Sequence, residues 1–218
     1  MSIRHNTAAP DEKADKPIIR IIDYKAGNAP SVMHAVSHLG YDAGFARGPR
    51  DIETATHIIL PGVGSARATI SSLGGMDILG LLKDLVIQKE VLFLGICVGL
   101  QILFEHSEEE NAECLGWLKG KVVRFDASKD RVPQMGWNLV NFIKGTPLQN
   151  TKDDYFYFVN SYYAIPENTC DIWAESNYNG PFAAAVSRRN IYAAQFHIEK
   201  SGKAGLSLLD NFLGNQII

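Results

Sequence analysis

An α/β architecture with a parallel core and an antiparallel extension is what this sequence predicts, and two features carry that expectation. Through the first half, short and nearly continuous apolar runs alternate with amphipathic segments, as in strands covered on both faces by helices. The second half carries alternating or aromatic-rich runs instead, the pattern of antiparallel strands.

Residues 1–16 are polar, with Asp11, Glu12, Lys13, Asp15 and Lys16 and no apolar run; they read as a flexible leader, not a signal peptide, before one domain at 17–218. The β-branched run 18–22 predicts a buried strand, and Gly27 and Asn28 break the pattern. Residues 31–39 follow a helical period, with Val32, Ala35, Val36 and Leu39 on one face. Residues 57–60 predict a strand ended by Pro61-Gly62, 78–89 a helix and 91–96 a third buried strand, with helical spacing at 100–105. Strands are then expected at 121–125, 155–163, 171–175, 182–187 and 191–196. A closing helix at 201–212 gathers Ala204, Leu206, Leu208, Leu209 and Phe212. The open mixed sheet therefore has its parallel strands first.

With 21 Lys and Arg against 24 Asp and Glu, the net charge of −3 offers no positive field to attract nucleic acid. At 218 residues and 46% hydrophobic, the chain buries a core without metal or disulfide staples. Its three cysteines, Cys97, Cys114 and Cys170, are odd in number and widely spaced, so neither a disulfide framework nor a zinc site is expected. The most apolar stretch, 91–104, is too short to span a bilayer. These features predict a cytoplasmic protein with no membrane, metal or cofactor requirement. His34 and His38 share a helix face but have no third ligand in sequence, so a solvated face is favoured.

The strongest local signal is Gly95-Ile96-Cys97-Val98-Gly99, between an apolar strand and a helical pattern. This is the form of a nucleophile elbow, whose sharp turn needs small neighbours. There a helix N-terminus favours the thiolate and the Val98 N–H is free to meet an oxyanion. A buried cysteine between packing glycines is the alternative. A thiol nucleophile needs a base. His197, directly after the strand 191–196, has Glu199 two residues on, where an extended segment would put both on one face to orient the imidazole. A surface histidine beside a solvated Glu-Lys pair is the alternative. Pro61-Gly62-Val63-Gly64 suits either a tight turn or a peptide N–H brought close to a ligand.

Together, these motifs in this order resemble the class I (triad) glutamine amidotransferases over nearly the whole chain after residue 17. The resemblance implies that family's fold, an open mixed, mostly parallel sheet flanked by helices. It implies a catalytic set of Cys97, His197 and Glu199, with Val63, Gly64 and Val98 forming an oxyanion hole. Within the family, Ile22-Asp23-Tyr24-Lys25-Ala26-Gly27-Asn28, Val132-Pro133-Gln134-Met135-Gly136-Trp137-Asn138 and Tyr157-Phe158-Val159-Asn160-Ser161-Tyr162-Tyr163 look like the glutaminase subunits of imidazole glycerol phosphate synthases. That implies hydrolysis of L-glutamine, with ammonia passed to a (β/α)8-barrel cyclase in a heterodimer of histidine biosynthesis. Gln101, Glu109, Asn160 and Ser161 would contact glutamine, and Trp137, Tyr157 and Lys200 would lie toward the cyclase. Gln134, Asn160 and Ile198 depart from the family's frequent His, His and Pro; neither amide can carry a proton. The alternatives are an amidotransferase serving another acceptor, such as a nucleotide-sugar amination system, and a non-catalytic scaffold.

Overall fold

The computed structural model describes residues 16–25, 28–146, 148 and 154–214; all of the expected leader but Lys16, and the expected break at Gly27, lie outside them. The first half runs β1 (Ile19–Ile22), α1 (Ala29–His38), β2 (Ala43–Ala46), α2 (Pro49–Ile52), β3 (His57–Gly62), α3 (Ala66–Gly75), α4 (Leu79–Lys83), β4 (Leu92–Cys97) and α5 (Val98–Gln101). The second half runs β5 (His106–Ser107), β6 (Ala112–Glu113), β7 (Gly120–Arg124), β8 (Gln134–Phe142), β9 (Asp154–Asn160), β10 (Tyr162–Pro166), β11 (Ile172–Asn177), β12 (Pro181–Arg188), β13 (Ile191–Ala194) and α6 (Gly202–Leu213).

One mixed sheet has the order β2-β1-β3-β4-β13-β12-β10-β7-β5-β6. Its first five strands are parallel neighbours. From β13 onward antiparallel pairing takes over through β12 and β10 to β7. A ribbon of β8 and β9 joins through β11, which pairs with β12. Every residue of β3 and β4 is buried, which accounts for their unbroken apolar sequence. Helix α1 covers the sheet with Ala29, Val32, Ala35 and Val36. Among the described residues no helix is long and apolar enough to cross a membrane.

Several expectations change. The strand at 57–60 continues through Pro61 and Gly62, because β4 pairs with it as far as Gly62↔Cys97. The helix at 78–89 is α4 followed by a wider π-helical stretch, Asp84–Gln88, that still buries Leu85 and Val86. The run 155–163 breaks at Ser161 into β9 and β10. The spacing at 100–105 does not make a helix beyond Gln101. The carbonyls of Ile102, Leu103, Phe104 and Glu105 accept instead from the backbone N–H groups of Leu115, Leu118, Gly116 and Cys114, at 2.9–3.0 Å. That tertiary ladder overrides the local period.

Parallel strands β3, β4 and β13 end together, with Gly62 beside Cys97 and Ala194 beside Ile96. The loops beyond those carboxyl ends form the crevice in which open α/β sheets bind ligands.

Candidate active site

Cys97 ends β4 with φ 57° and ψ −106°, a conformation side chains rarely adopt. Close packing holds it there. A Cβ on Gly95 would stand 2.5 Å from the Gly99 oxygen, and one on Gly99 would stand 2.3 Å from the Leu60 oxygen. The sequence therefore needs glycine at both positions so that the turn can lie flat on β3. The helix that follows has only four residues, about one turn, so its macrodipole is small.

His197 leaves β13 and enters a short 3-10 turn, Ile198–Lys200. That turn, rather than the expected extended segment, brings Glu199 back to the ring: Nδ1 lies 2.9 Å from Glu199 Oε1. Nδ1 is thereby engaged, which leaves Nε2 for the Cys97 thiol, the second group that acts on the imidazole. The pair is deeply buried, its side chains 4% and 1% exposed. Burial by itself pushes the imidazole pKa down; the hydrogen bonds and charges of Cys97 and Glu199 more than reverse this and raise it to about 9. Burial likewise pushes the Glu199 carboxyl up, but His197 and Asn28 outweigh it and leave it lowered. Asn28 Nδ2 donates to the same Oε1 at 2.5 Å. Glu199 Oε2 is buried without a hydrogen-bond partner among the described residues.

The backbone of His197 is clamped to β9. Its N–H donates to the Tyr157 carbonyl at 2.9 Å, Tyr157 N–H donates to Ser201 Oγ at 3.0 Å, and the Ser201 hydroxyl returns to the His197 carbonyl at 2.6 Å.

A cavity of about 300 Å³ opens over the thiol. Cys97 and His197 form part of its wall, together with Val63, Gly64 and Val98 from the two strand-end turns. Gln101, Glu109, Asn160, Ser161 and Lys200 complete it on the other sides. Its size suits a single amino acid rather than a nucleotide. Glu199 lies behind His197, outside the lining.

The sequence profile described as glutamine amidotransferase class-I matches residues 20–215. The chain belongs to that family. It is 41% identical to an imidazole glycerol phosphate synthase subunit HisH 2 of Methanococcus maripaludis, over 90% of this chain and 98% of that one. It is 44% identical to the subunit HisH of Neisseria meningitidis, over 88% and 97%. Among solved structures, a glutamine amidotransferase shares the fold with a TM-score of 0.73 at 16% identity, covering 91% of this chain and all of that one. PurLQS from Thermotoga maritima does so with a TM-score of 0.71 at 18% identity, covering 91% and 98%.

The amidotransferase fold thus gathers ten of the thirteen residues singled out from sequence around one cavity. Trp137 and Tyr157 lie apart on the β8–β9 ribbon, ring centroids 6.0 Å apart, with Trp137 56% exposed. Glu109 is half-buried rather than buried; Oε2 accepts from the Ala66 N–H at 3.2 Å, and burial raises its carboxyl. Gln134 and Asn160 face each other across the ribbon, both buried. Neither amide atom of Gln134, nor Asn160 Oδ1, has a hydrogen-bond partner among the described residues. His34, His38 and Glu199 border a second, shallower depression, but the described residues hold no metal-binding group of three. Asn28, Gln195 and Ser201 carried no sequence-derived role at the site, although Asn28 stands inside a quoted motif and Gln195 inside the strand expected at 191–196.

Proposed function

We propose that this chain is the glutamine-hydrolysing subunit of an imidazole glycerol phosphate synthase, acting in histidine biosynthesis. The observation that carries this reading is the buried line Glu199–His197–Cys97 opening onto an amino-acid-sized cavity. In the reaction, Cys97 Sγ attacks the side-chain amide carbon of L-glutamine while His197 holds the thiol proton. A pKa of about 9 keeps that proton on the imidazole at neutral pH. The tetrahedral oxyanion is met by the N–H groups of Val98 and the Val63–Gly64 turn. His197 then protonates the departing nitrogen, and ammonia leaves a glutamyl thioester. Water attacks the thioester, His197 takes its proton and returns it to sulfur, and glutamate departs. Glu199 keeps the imidazole oriented throughout.

Gln101, Glu109, Asn160 and Ser161 would hold the amino-acid end, with the Glu109 carboxylate opposite the α-ammonium. An amide at Asn160, unable to carry a proton, leaves His197 as the base. Ammonia would pass to a (β/α)8-barrel cyclase in a heterodimer. The ribbon supports a docking surface, since Met135, Trp137 and Tyr155 are 66%, 56% and 56% exposed, and the Trp137 ring lies 3.8 Å from where a Cβ on Gly202 would stand, two residues past Lys200 of the cavity wall. Three unpaired thiols fit a reducing cytoplasm.

The decisive assay is glutamate release from glutamine, with and without a histidine-pathway cyclase carrying its nucleotide. Strong stimulation by the liganded cyclase is expected, and replacing Cys97 with Ala should abolish it while sparing synthesis from added ammonium salts. Slow, unstimulated hydrolysis would point to another acceptor; no hydrolysis and an unreactive Cys97 would leave a scaffold.

A further inference from the structure

Behind the nucleophile lies a buried network of side-chain amides whose inner member, Gln195, no step above uses. Gln195 is fully buried at the end of β13, and its Nε2 lies 3.6 Å from Cys97 Sγ. Its Oε1 accepts from Gln101 Nε2 at 3.1 Å. The same Gln101 Nε2 donates to the Tyr162 carbonyl at 3.2 Å, and Asn160 Nδ2 donates to that carbonyl at 3.0 Å.

We propose that Gln195 is a positioning residue for the nucleophile: its carboxamide N–H holds the Cys97 sulfur, and amides anchored on the Tyr162 carbonyl fix which way that N–H points. A backbone carbonyl only accepts, so Gln101 must turn its NH2 toward Tyr162. The second hydrogen of that NH2 then meets Gln195, which must present its oxygen to it. Gln195 is left with its own NH2 against sulfur. The reverse orientation would set the Gln195 NH2 against the Gln101 NH2, two donors face to face, and the Gln195 oxygen against sulfur, around a side chain that water does not reach. An N–H held on sulfur favours the thiolate over the thiol, because a charged acceptor makes the stronger hydrogen bond. The backbone supports this placement, since Gln195 N–H donates to the Ala184 carbonyl at 2.8 Å. The network also reaches the substrate side, as Gln101, Asn160 and Tyr162 all border the cavity.

This inference rests on Cys97 being the nucleophile, but its test does not need glutamine turnover. In the full chain, Gln195→Met keeps the side-chain length and removes the donor. The readout is the rate of Cys97 alkylation by iodoacetamide against pH, followed by peptide mass spectrometry so that Cys114 and Cys170 are scored separately. Alkylation of Cys97 at neutral pH is expected to slow about tenfold, as loss of a hydrogen bond to a charged acceptor implies. Under saturating glutamine kcat should fall about tenfold, with KM little changed. Gln195→Glu, which still accepts from Gln101 but sets a carboxylate beside the sulfur, should slow it at least as much. It decides the matter if the Met variant unfolds. An alkylation profile that stays in place in a folded variant overturns the proposal, even if kcat falls. Failure of the wild-type chain to hydrolyse glutamine would strike the proposed function and leave this test readable.

Discussion

Replacing Gly99 with Ala tests whether the elbow, rather than the mere presence of a cysteine, makes the site. The new Cβ would sit 2.3 Å from the Leu60 oxygen, where real Cβ atoms essentially never come closer than 3.0 Å. Leu60 lies inside buried β3, and the offending atom is backbone, so no side chain can swing away. The turn or the strand must therefore yield by about 0.7 Å, the difference of those two distances. Gly99 is two residues from Cys97, so much of that displacement reaches the sulfur. A shift of this size at a reacting atom costs up to about 10²-fold in rate. Overpacking of this kind costs about 1–3 kcal/mol of stability. For a chain of this length, at about 2–4 °C per kcal/mol, that corresponds to a melting temperature lower by roughly 2–12 °C. The assay is glutamate release, paired with thermal unfolding, on the variant and on Gly80→Ala. Gly80 lies in α4 with no neighbouring atom within 4 Å of its added Cβ, so that control should match or slightly exceed wild-type stability. A Gly99→Ala protein with wild-type kcat/KM and melting temperature would refute the reasoning.

Asn28→Ala removes one of the two donors on Glu199 Oε1 and one of the influences that lower its carboxyl. Activity should fall about tenfold and the acid limb of the kcat profile should move to higher pH; an unmoved acid limb means Asn28 does not act through Glu199. Stability should also report the His197 site. The folded pKa of about 9 lies above the unfolded 6.5, so the folded state binds this proton more tightly. That contribution is complete below pH 6.5 and vanishes as pH rises through about 9. Thermal melts across this window should show the wild type losing more than His197→Gln, and equal losses would contradict the assignment.

The parallel half of the fold was legible because strands buried on both faces read as near-continuous apolar runs, as in Ile58–Leu60 of β3 and in β4. Cys97 and His197 were legible because their chemistry is written into short motifs at strand ends. Strand β8 was not: Gly136, Asn138 and Asn141 are residues that favour turns, and pairing with β9 over Gln134–Val140 and with β11 at Asn141 makes them a strand. Helix α3, with Thr69, Ser71 and Ser72 among its residues, had too faint an apolar period to see. The partners of the site were hidden for a different reason. Asn28 meets Glu199 across 171 positions, and Gln101 meets Gln195 across 94. No local spacing encodes such contacts; the topology brings them together.

The β8–β9 ribbon joins the sheet through Ala174↔Phe142 and Glu175↔Asn141, and at its other end only Ser161 separates β9 from β10. Midway along it Trp137 is exposed, while Phe156 and Phe158 rest inward on Phe196, with ring centroids 4.2 and 5.7 Å away. Mechanically this is a strap held at both ends and bonded in mid-span, through Tyr157 and Ser201, to both backbone groups of His197. The base is thus fastened by its own backbone to the strand pair that carries the exposed Trp137, so a single strand separates the surface from the chemistry.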